Sequence, residues 1–414
     1  MPDSIKKKKV NVISPRSGCP MRTLDASKLR NYFNLNNYEV IDTVEGADYT
    51  IFVTCAVTKA ALEDSLSVID GIKKISGELI VMGCLPGTNE KELKMIFSGE
   101  TIMTKNINDI DEYFSDFRIK FHQVPESHLY DLELYNTFAE INDIKPHFSL
   151  LRKYGFSKLF IRQIIRQQDI QRYIRKNIGF NYSDKCYLVI CSGCVNNCAY
   201  CNIKRAIGKI KSKTIKSLVK EYSTLLDHGY RNFHFIAEDL CSYGFDINSS
   251  IDQLLLALSV VDKKHIVRWS LHGLNPKWLV KNQDKIIPFI KSKKIVEVTV
   301  AVESGSDRII ELMNRKYKIM DLKNTLKSYR KINPGFRINA LFFAGFPTET
   351  DEDFNKTLDF LKEMRFEDVT LKGYSELETL PSAKILPKIT EETIQKRILI
   401  AEALLRKLKT PYIR

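Results

Sequence analysis

No run of about 18 apolar residues, the minimum for a membrane-crossing helix, occurs in the 414-residue chain. Nothing in the sequence is therefore expected to span a bilayer. The amino terminus also lacks the apolar core of a secretory signal: four lysines, Lys6 to Lys9, run directly into a strand-like Val10-Asn-Val-Ile and a Pro-Arg turn. The chain is accordingly read as cytoplasmic. Thiols are kept reduced in that compartment, so the nine cysteines are not expected to form disulfides. Missing too is a second CxxC pair near Cys198 and Cys201 that would complete a tetrahedral zinc site. Ligation of a metal or a cluster becomes the leading reading for these thiols.

At 44% hydrophobic and 10% aromatic residues the composition is that of an ordinary globular enzyme, long enough for two or three domains. The formal net charge of +14 fits a polyanionic partner such as RNA, an acidic peptide, or simple solubility. Charge alone leaves these open.

The stretch Cys194-Val-Asn-Asn-Cys198-Ala-Tyr-Cys201 places three thiolates at x3 and x2 spacing, enough to hold three irons of a [4Fe–4S] cube. The fourth iron stays open, and an open iron takes the amino and carboxylate groups of S-adenosylmethionine (SAM), as a radical generator requires. This spacing, with an aromatic before the last cysteine, resembles the radical SAM superfamily. Residues 10 to about 118 alternate strands (Val10–Ser14, Tyr38–Asp42, Tyr49–Thr54, Glu78–Met82) with helices (after Asp25, and Ala60–Lys74), which predicts a small parallel α/β sheet. Cys19, Cys55 and Cys84 each fall just after a strand. In an open parallel sheet the carboxyl ends of the strands converge, so the three are expected to meet; three buried structural cysteines are the alternative.

The phrases Gly18-Cys19-Pro20-Met21, Thr54-Cys55-x5-Ala61 and Gly83-Cys84-Leu85 resemble the amino-terminal domain of the methylthiotransferases. The resemblance implies an auxiliary [4Fe–4S] cluster on Cys19, Cys55 and Cys84. Arg22 and Val53 stand about where that family has asparagines, a departure that bears on the pocket around the cluster.

From Asn106 to Asp143 nine acids face two bases, and from Lys145 to Lys185 ten bases face two acids, a switch that marks a boundary. The methylthiotransferase resemblance, whose linker between the two domains is shorter, implies an insertion over roughly residues 120–182. Within it Leu159, Phe160, Ile164, Ile165, Ile170, Tyr173 and Ile174 fall near helical spacing, with Arg162, Arg166, Arg172 and Arg175 between them. This helix either docks its apolar stripe on the barrel or recognises RNA phosphates or an acidic peptide.

From Cys186 onward strand–helix units repeat, with strands at Cys186–Ile190, Asn232–Ala237, Ile266–Leu271, Val296–Val302, Ile338–Phe343 and Val369–Gly373. They predict a partial (β/α)6 barrel whose active residues lie at the carboxyl ends of its strands. The methylthiotransferase resemblance extends over residues 8–408 through Glu238-Asp239-x3-Tyr243-Gly244-x-Asp246, Glu303-Ser304-Gly305-Ser306-Asp307, Met313-Asn314-Arg315-x-Tyr317, Gly345-Phe346-Pro347-x-Glu349-Thr350 and Tyr374-Ser375. It implies that Cys194, Cys198 and Cys201 are catalytic, and that Tyr200, Glu238, Glu303, Ser304 and Arg315 contact the cofactor. Glu303 replaces the family's usual glutamine, keeping an acceptor and adding a negative charge. Cys186, Cys191 and Cys241 are read as structural, with Cys191 near enough in sequence to serve as a reserve ligand.

Family members that modify tRNA carry a small β-barrel called TRAM after the radical SAM barrel. This sequence shows instead one amphipathic helix from about Glu391 to Leu408, and Glu376-Leu-Glu-Thr-Leu replaces the family's Arg-Pro-Gly-Thr-like phrase after Tyr-Ser. The expected organisation is a methylthiotransferase domain over 1–118, a basic insertion over 119–182, a radical SAM partial barrel over 183–385 and a carboxyl-terminal helix over 386–414. The expected activity is methylthio transfer to a polypeptide side chain. A tRNA adenosine is the alternative substrate, and radical SAM chemistry without sulfur transfer is a third reading. A low-potential donor such as flavodoxin or ferredoxin is implied as electron source.

Overall fold

A computed structural model describes residues 7–17, 19–127, 185–377 and 379–413, so the basic helix expected over Leu159–Ile174 lies outside the described residues. Two units emerge, one of residues 1–187 with 205–208 and 224–230, the other of residues 188–204, 209–223 and 231–414.

The first unit is a five-stranded sheet of β1 (Lys9–Ile13), β2 (Glu39–Ile41), β3 (Tyr49–Thr54), β4 (Glu78–Gly83) and β5 (Thr101–Met103). Its order is β2-β1-β3-β4-β5 with every pairing parallel. Both faces are covered, as a parallel sheet requires. Val10, Val12, Ile51, Val53 and Ile80 pack on Leu29, Tyr32 and Phe33 on one side, and Phe52, Leu79 and Val81 pack on Leu62, Val68 and Ile69 on the other. The order reverses direction between β1 and β3, which makes the gap at their carboxyl ends the switch point where ligands bind in such sheets. Cys19 follows β1 and Cys55 follows β3. The helix expected after Asp25 begins at Pro20, because Cys19 occupies the N-cap and proline at the first helical position has no N–H to leave unpaired. The three-residue β5 was not expected; it is too short to show an alternating pattern.

The other main sheet, whose strands after β6 all lie in the second unit, runs β14-β13-β12-β11-β10-β9-β6, where β6 is Lys185–Val189, β9 Asn232–Ile236, β10 Arg268–Leu274, β11 Ile295–Glu303, β12 Arg337–Ala344, β13 Asp368–Gly373 and β14 Tyr412–Ile413. The pairings from β9 to β14 are all parallel. Six strands therefore follow one another in chain order as the sequence predicts, and the two-residue β14 adds an edge. Alternate residues pack under helices: Phe233 lies against Tyr222, and Trp269 lies against Phe235 and Phe289. A separate antiparallel pair, β7 (Cys191–Ser192) and β8 (Lys211–Ser212), opens the loop that carries the x3–x2 cysteines.

The helix Glu391–Leu408 is tied to this sheet. Arg397 donates to Glu349 Oε2 at 2.9 Å and to Asp351 Oδ1 at 2.8 Å, and Gly345 N–H donates to Glu349 Oε2 at 2.7 Å. A Cβ on Gly345 would stand 2.2 Å from Ile394 Cγ1, and φ there is +85°, so the Gly-Phe-Pro phrase is a seat for this helix.

Candidate active site

Gly193 aims the cysteine loop. Its φ is +85° and a Cβ would meet the Lys209 carbonyl oxygen at 2.6 Å, so only glycine fits. Its N–H donates to Glu238 Oε2 at 2.9 Å, just past the carboxyl end of β9. Beside it the Cys194 thiol donates to Asp239 Oδ2 at 3.5 Å, and the N–H and side-chain amide of Asn196 donate to the same sulfur at 3.3 and 3.4 Å. Asp239 is fixed by Asn196 at 2.5 Å, by the Ser242 hydroxyl at 2.6 Å and by the Cys241 N–H at 3.1 Å. Burial raises the Asp239 carboxyl above the usual carboxylate range, against the pull of those bonds.

Cys198 faces a different environment. Arg315 Nη1 points to its sulfur at 3.7 Å, donates to the Tyr200 hydroxyl at 3.0 Å and lies 3.5 Å from Glu303 Oε1, while Nη2 donates to the Ala301 carbonyl at 2.6 Å. The Tyr200 hydroxyl in turn donates to Glu303 Oε1 at 2.8 Å. Burial raises the Glu303 carboxyl, and Arg315 is the main opposing influence. The charge that Glu303 adds relative to a glutamine is thus balanced by a guanidinium whose side chain is only 6% exposed. Glu303 ends β11 at φ +72°, a left-handed conformation uncommon away from glycine, as recurs at functional sites. The Tyr200 ring packs edge-on against Phe343, 5.3 Å between centroids.

Breaking that pair gives a direct expectation. Arg315→Met leaves the Glu303 carboxylate buried without its counter-charge and is expected to destabilise the chain by about 3 kcal/mol. Glu303→Gln keeps an acceptor for the Tyr200 hydroxyl and is expected to cost less. Denaturant unfolding of both variants checks the order.

Ser304 lies in the same phrase but is fully buried. Its hydroxyl lies 3.4 Å from Thr357 Oγ1 and accepts from the Ser306 N–H at 3.2 Å, and Ser306 donates to Asp353 at 2.6 Å. These bonds brace the strand end on the helix Asp351–Met364. Cys191 and Cys241 are buried, the one donating to the Asp239 carbonyl at 3.8 Å and the other accepting from the Asn275 N–H at 3.2 Å. Asn196, Asp239 and Ser242 were not singled out from sequence. The signal was there for two of them, since Asn196 lies between the cysteines and Asp239 follows Glu238 at a strand end.

The donor set fits a cluster. All three thiols resist ionisation: Cys194 is pushed up to about 11 by burial and then by Asp239, Cys201 to about 12 by burial, and Cys198 upward by burial with Arg315 opposing. A thiolate becomes affordable there only when metal replaces the proton, as soft sulfur ligands do on iron.

In the first unit Cys55 and Cys84 are buried and Cys19 is half-buried. The Cys19 thiol donates to Cys55, which lowers Cys55 to about 7 and holds Cys19 well above the ordinary thiol range, and Cys84 is near enough to act on Cys55 through its charge. The expected meeting of these residues is therefore what the sheet produces. Cys19 caps the helix Pro20–Leu35, whose N-terminal dipole favours negative charge at that sulfur. Gly83, at φ +106°, seats Cys84 against β3: a Cβ there would meet the Thr54 carbonyl oxygen at 2.4 Å. Where the family has asparagines, Arg22 is buried and paired with Asp25 at 3.0 Å, and Val53 fills the core. None of the nine cysteines is in a disulfide.

Residues 188–361 match the radical SAM superfamily, and residues 11–104 match the uncharacterized protein family UPF0004. The ribosomal protein uS12 methylthiotransferase RimO of Geotalea uraniireducens is 26% identical over 94% of this chain and 80% of its own. RimO of Thermotoga sp. is 27% identical over 92% and 80%, and a probable threonylcarbamoyladenosine tRNA methylthiotransferase of Methanocaldococcus jannaschii is 25% identical over 92% and 79%. Among solved structures, the radical SAM methyltransferase TsrM from Kitasatospora setae superposes with a TM-score of 0.59 at 11% identity, over 91% of this chain and 77% of that one, which shows a shared fold. The cofactors of this chain are SAM and two [4Fe–4S] clusters. This α/β chain, which joins a UPF0004 domain to a radical SAM domain in that order, is similar along nearly its whole length to the radical SAM methylthiotransferases.

Proposed function

We propose that the chain transfers a methylthio group to an unactivated carbon of a polypeptide side chain, in a ribosomal protein or a ribosomally made peptide. The observation that carries this reading is the segment after β13. Where the family has an arginine-bearing phrase, this chain has Glu376-Leu-Glu-Thr-Leu, and Glu376 is ion-paired with Lys388. A carboxylate in place of a guanidinium disfavours a phosphate backbone and suits a basic or neutral peptide. The two RimO relatives named above act, by their names, on ribosomal protein uS12. Transfer to tRNA is the second reading, supported by the net charge of +14 and by the Methanocaldococcus relative. Either substrate belongs in the cytoplasm, and a flavodoxin- or ferredoxin-type protein would supply electrons.

Cys194, Cys198 and Cys201 would hold a cluster able to supply the electron for reductive cleavage of SAM, and Cys19, Cys55 and Cys84 would hold one able to supply sulfur. The residues of the chain do the positioning. Glu238 holds the loop by the Gly193 N–H, Arg315 offsets charge at Cys198 and Glu303, and the Tyr200 hydroxyl links Arg315 to Glu303. The Tyr200 ring packs edge-on against Phe343 and Phe346, which fixes its hydroxyl beside Glu303.

The test is to supply anaerobically reconstituted protein, SAM and a low-potential reductant with either ribosomal proteins or bulk tRNA. A methylthio group found by mass spectrometry on a peptide is the expected outcome. A methylthio-nucleoside with unmodified protein overturns the reading in favour of tRNA, and SAM cleavage with no sulfur product in either would leave only radical chemistry.

A further inference from the structure

The face of the second unit's sheet opposite Phe233, Phe235 and Trp269 carries polar side chains that none of the chemistry above uses. His234 lies on β9, His272 on β10, and Glu297 and Thr299 on β11. Strand register sets them side by side, since Ser270 pairs with both His234 and Glu297. His234 Nδ1 lies 2.7 Å from His272 Nε2, and the two rings lie within 14° of parallel, edge to edge, with centroids 4.9 Å apart. One ring nitrogen from each histidine and one Glu297 carboxylate oxygen lie within 4.8 Å of one another.

We propose that His234, His272 and Glu297 bind a divalent transition-metal ion, zinc by preference, at a site separate from both cysteine triads. Two imidazoles and one carboxylate are a recognised zinc donor set that leaves a fourth position for water or a ligand. Nitrogens bound to one zinc stand about 3.3 Å apart, given bonds of about 2.0–2.1 Å, so the two nitrogens need to separate by about half an ångström and each ring to turn by about 35° to aim its lone pair at the ion. The supporting contacts are in place. His272 Nδ1 lies 3.0 Å from Thr299 Oγ1; with that oxygen accepting, the ring carries its proton on Nδ1 and turns the Nε2 lone pair to the site. His234 then moves its own proton to Nε2, and no net proton is released from the neutral rings. Arg337 Nε holds Glu297 Oε2 at 2.8 Å and orients that carboxylate. Glu297 and Glu303 stand about 20 Å apart along β11, which keeps this ion away from the SAM end. The ion would tie β9, β10 and β11 together at mid-sheet.

The test uses reconstituted holoenzyme, so that the cluster thiols are occupied, equilibrated with zinc and then dialysed against metal-free buffer. The expected result is one zinc retained per chain, lost in His234→Ala/His272→Ala at unchanged iron and sulfide. Thr299→Val is expected to weaken zinc binding about tenfold. Parent holoenzyme that retains no zinc overturns the proposal and leaves a hydrogen-bonded histidine pair, whatever the variants do. Zinc retained at full occupancy by the double variant overturns it as well.

Discussion

Replacing Cys194, Cys198 and Cys201 together with alanine is expected to leave about half the parent's iron and to abolish reductive cleavage of SAM. The three sulfurs sit in a loop fixed at Gly193 and bonded to Asp239 and Arg315, and no other thiol is arranged to take their place. Cys191 and Cys241 are buried against backbone groups of Asp239 and Asn275, with burial holding both well above the ordinary thiol range, so neither offers a ready thiolate. Iron analysis and chromatography of 5′-deoxyadenosine check this. Full cleavage in the triple variant would remove the radical SAM assignment of this loop.

The complementary replacement, Cys19, Cys55 and Cys84 to alanine, is expected to spare SAM cleavage and to eliminate methylthio product. Its basis is that the two triads lie in different units of the fold, each with its own core. Loss of the first unit's sulfurs removes the sulfur source without touching Glu238, Tyr200, Glu303 or Arg315. Normal yield of methylthio product from this variant would show that sulfur comes from elsewhere. Cleavage lost together with product would show that the triads do not work separately.

Both triads were legible in the sequence for a physical reason. A cysteine at the end of a strand is constrained by the sheet, and parallel strands converge at one edge, so residues far apart in sequence can be assigned to one place. The x3–x2 loop is local and needs no fold at all. The network around it was harder to read. Tyr200, Glu303 and Arg315 could each be picked out, but that Arg315 balances the glutamate depends on a turn at Asn314, φ +57°, which the sequence does not announce. Ser304 looks like its neighbour Glu303 in sequence, yet successive residues at a strand end point apart, and its hydroxyl is spent on Thr357. The His234–His272–Glu297 group was invisible because each residue is alone on its strand and only the register, with its irregularity in β10, brings them together. The short β5 and β14 carry too few residues for any pattern.

The most direct test of the account is the iron and acid-labile sulfide content of the anaerobically reconstituted chain. Two [4Fe–4S] clusters per chain are expected, with either triad variant retaining one. A parent chain that holds only one cluster, unchanged when Cys19, Cys55 and Cys84 are replaced, would contradict the two-cluster methylthiotransferase.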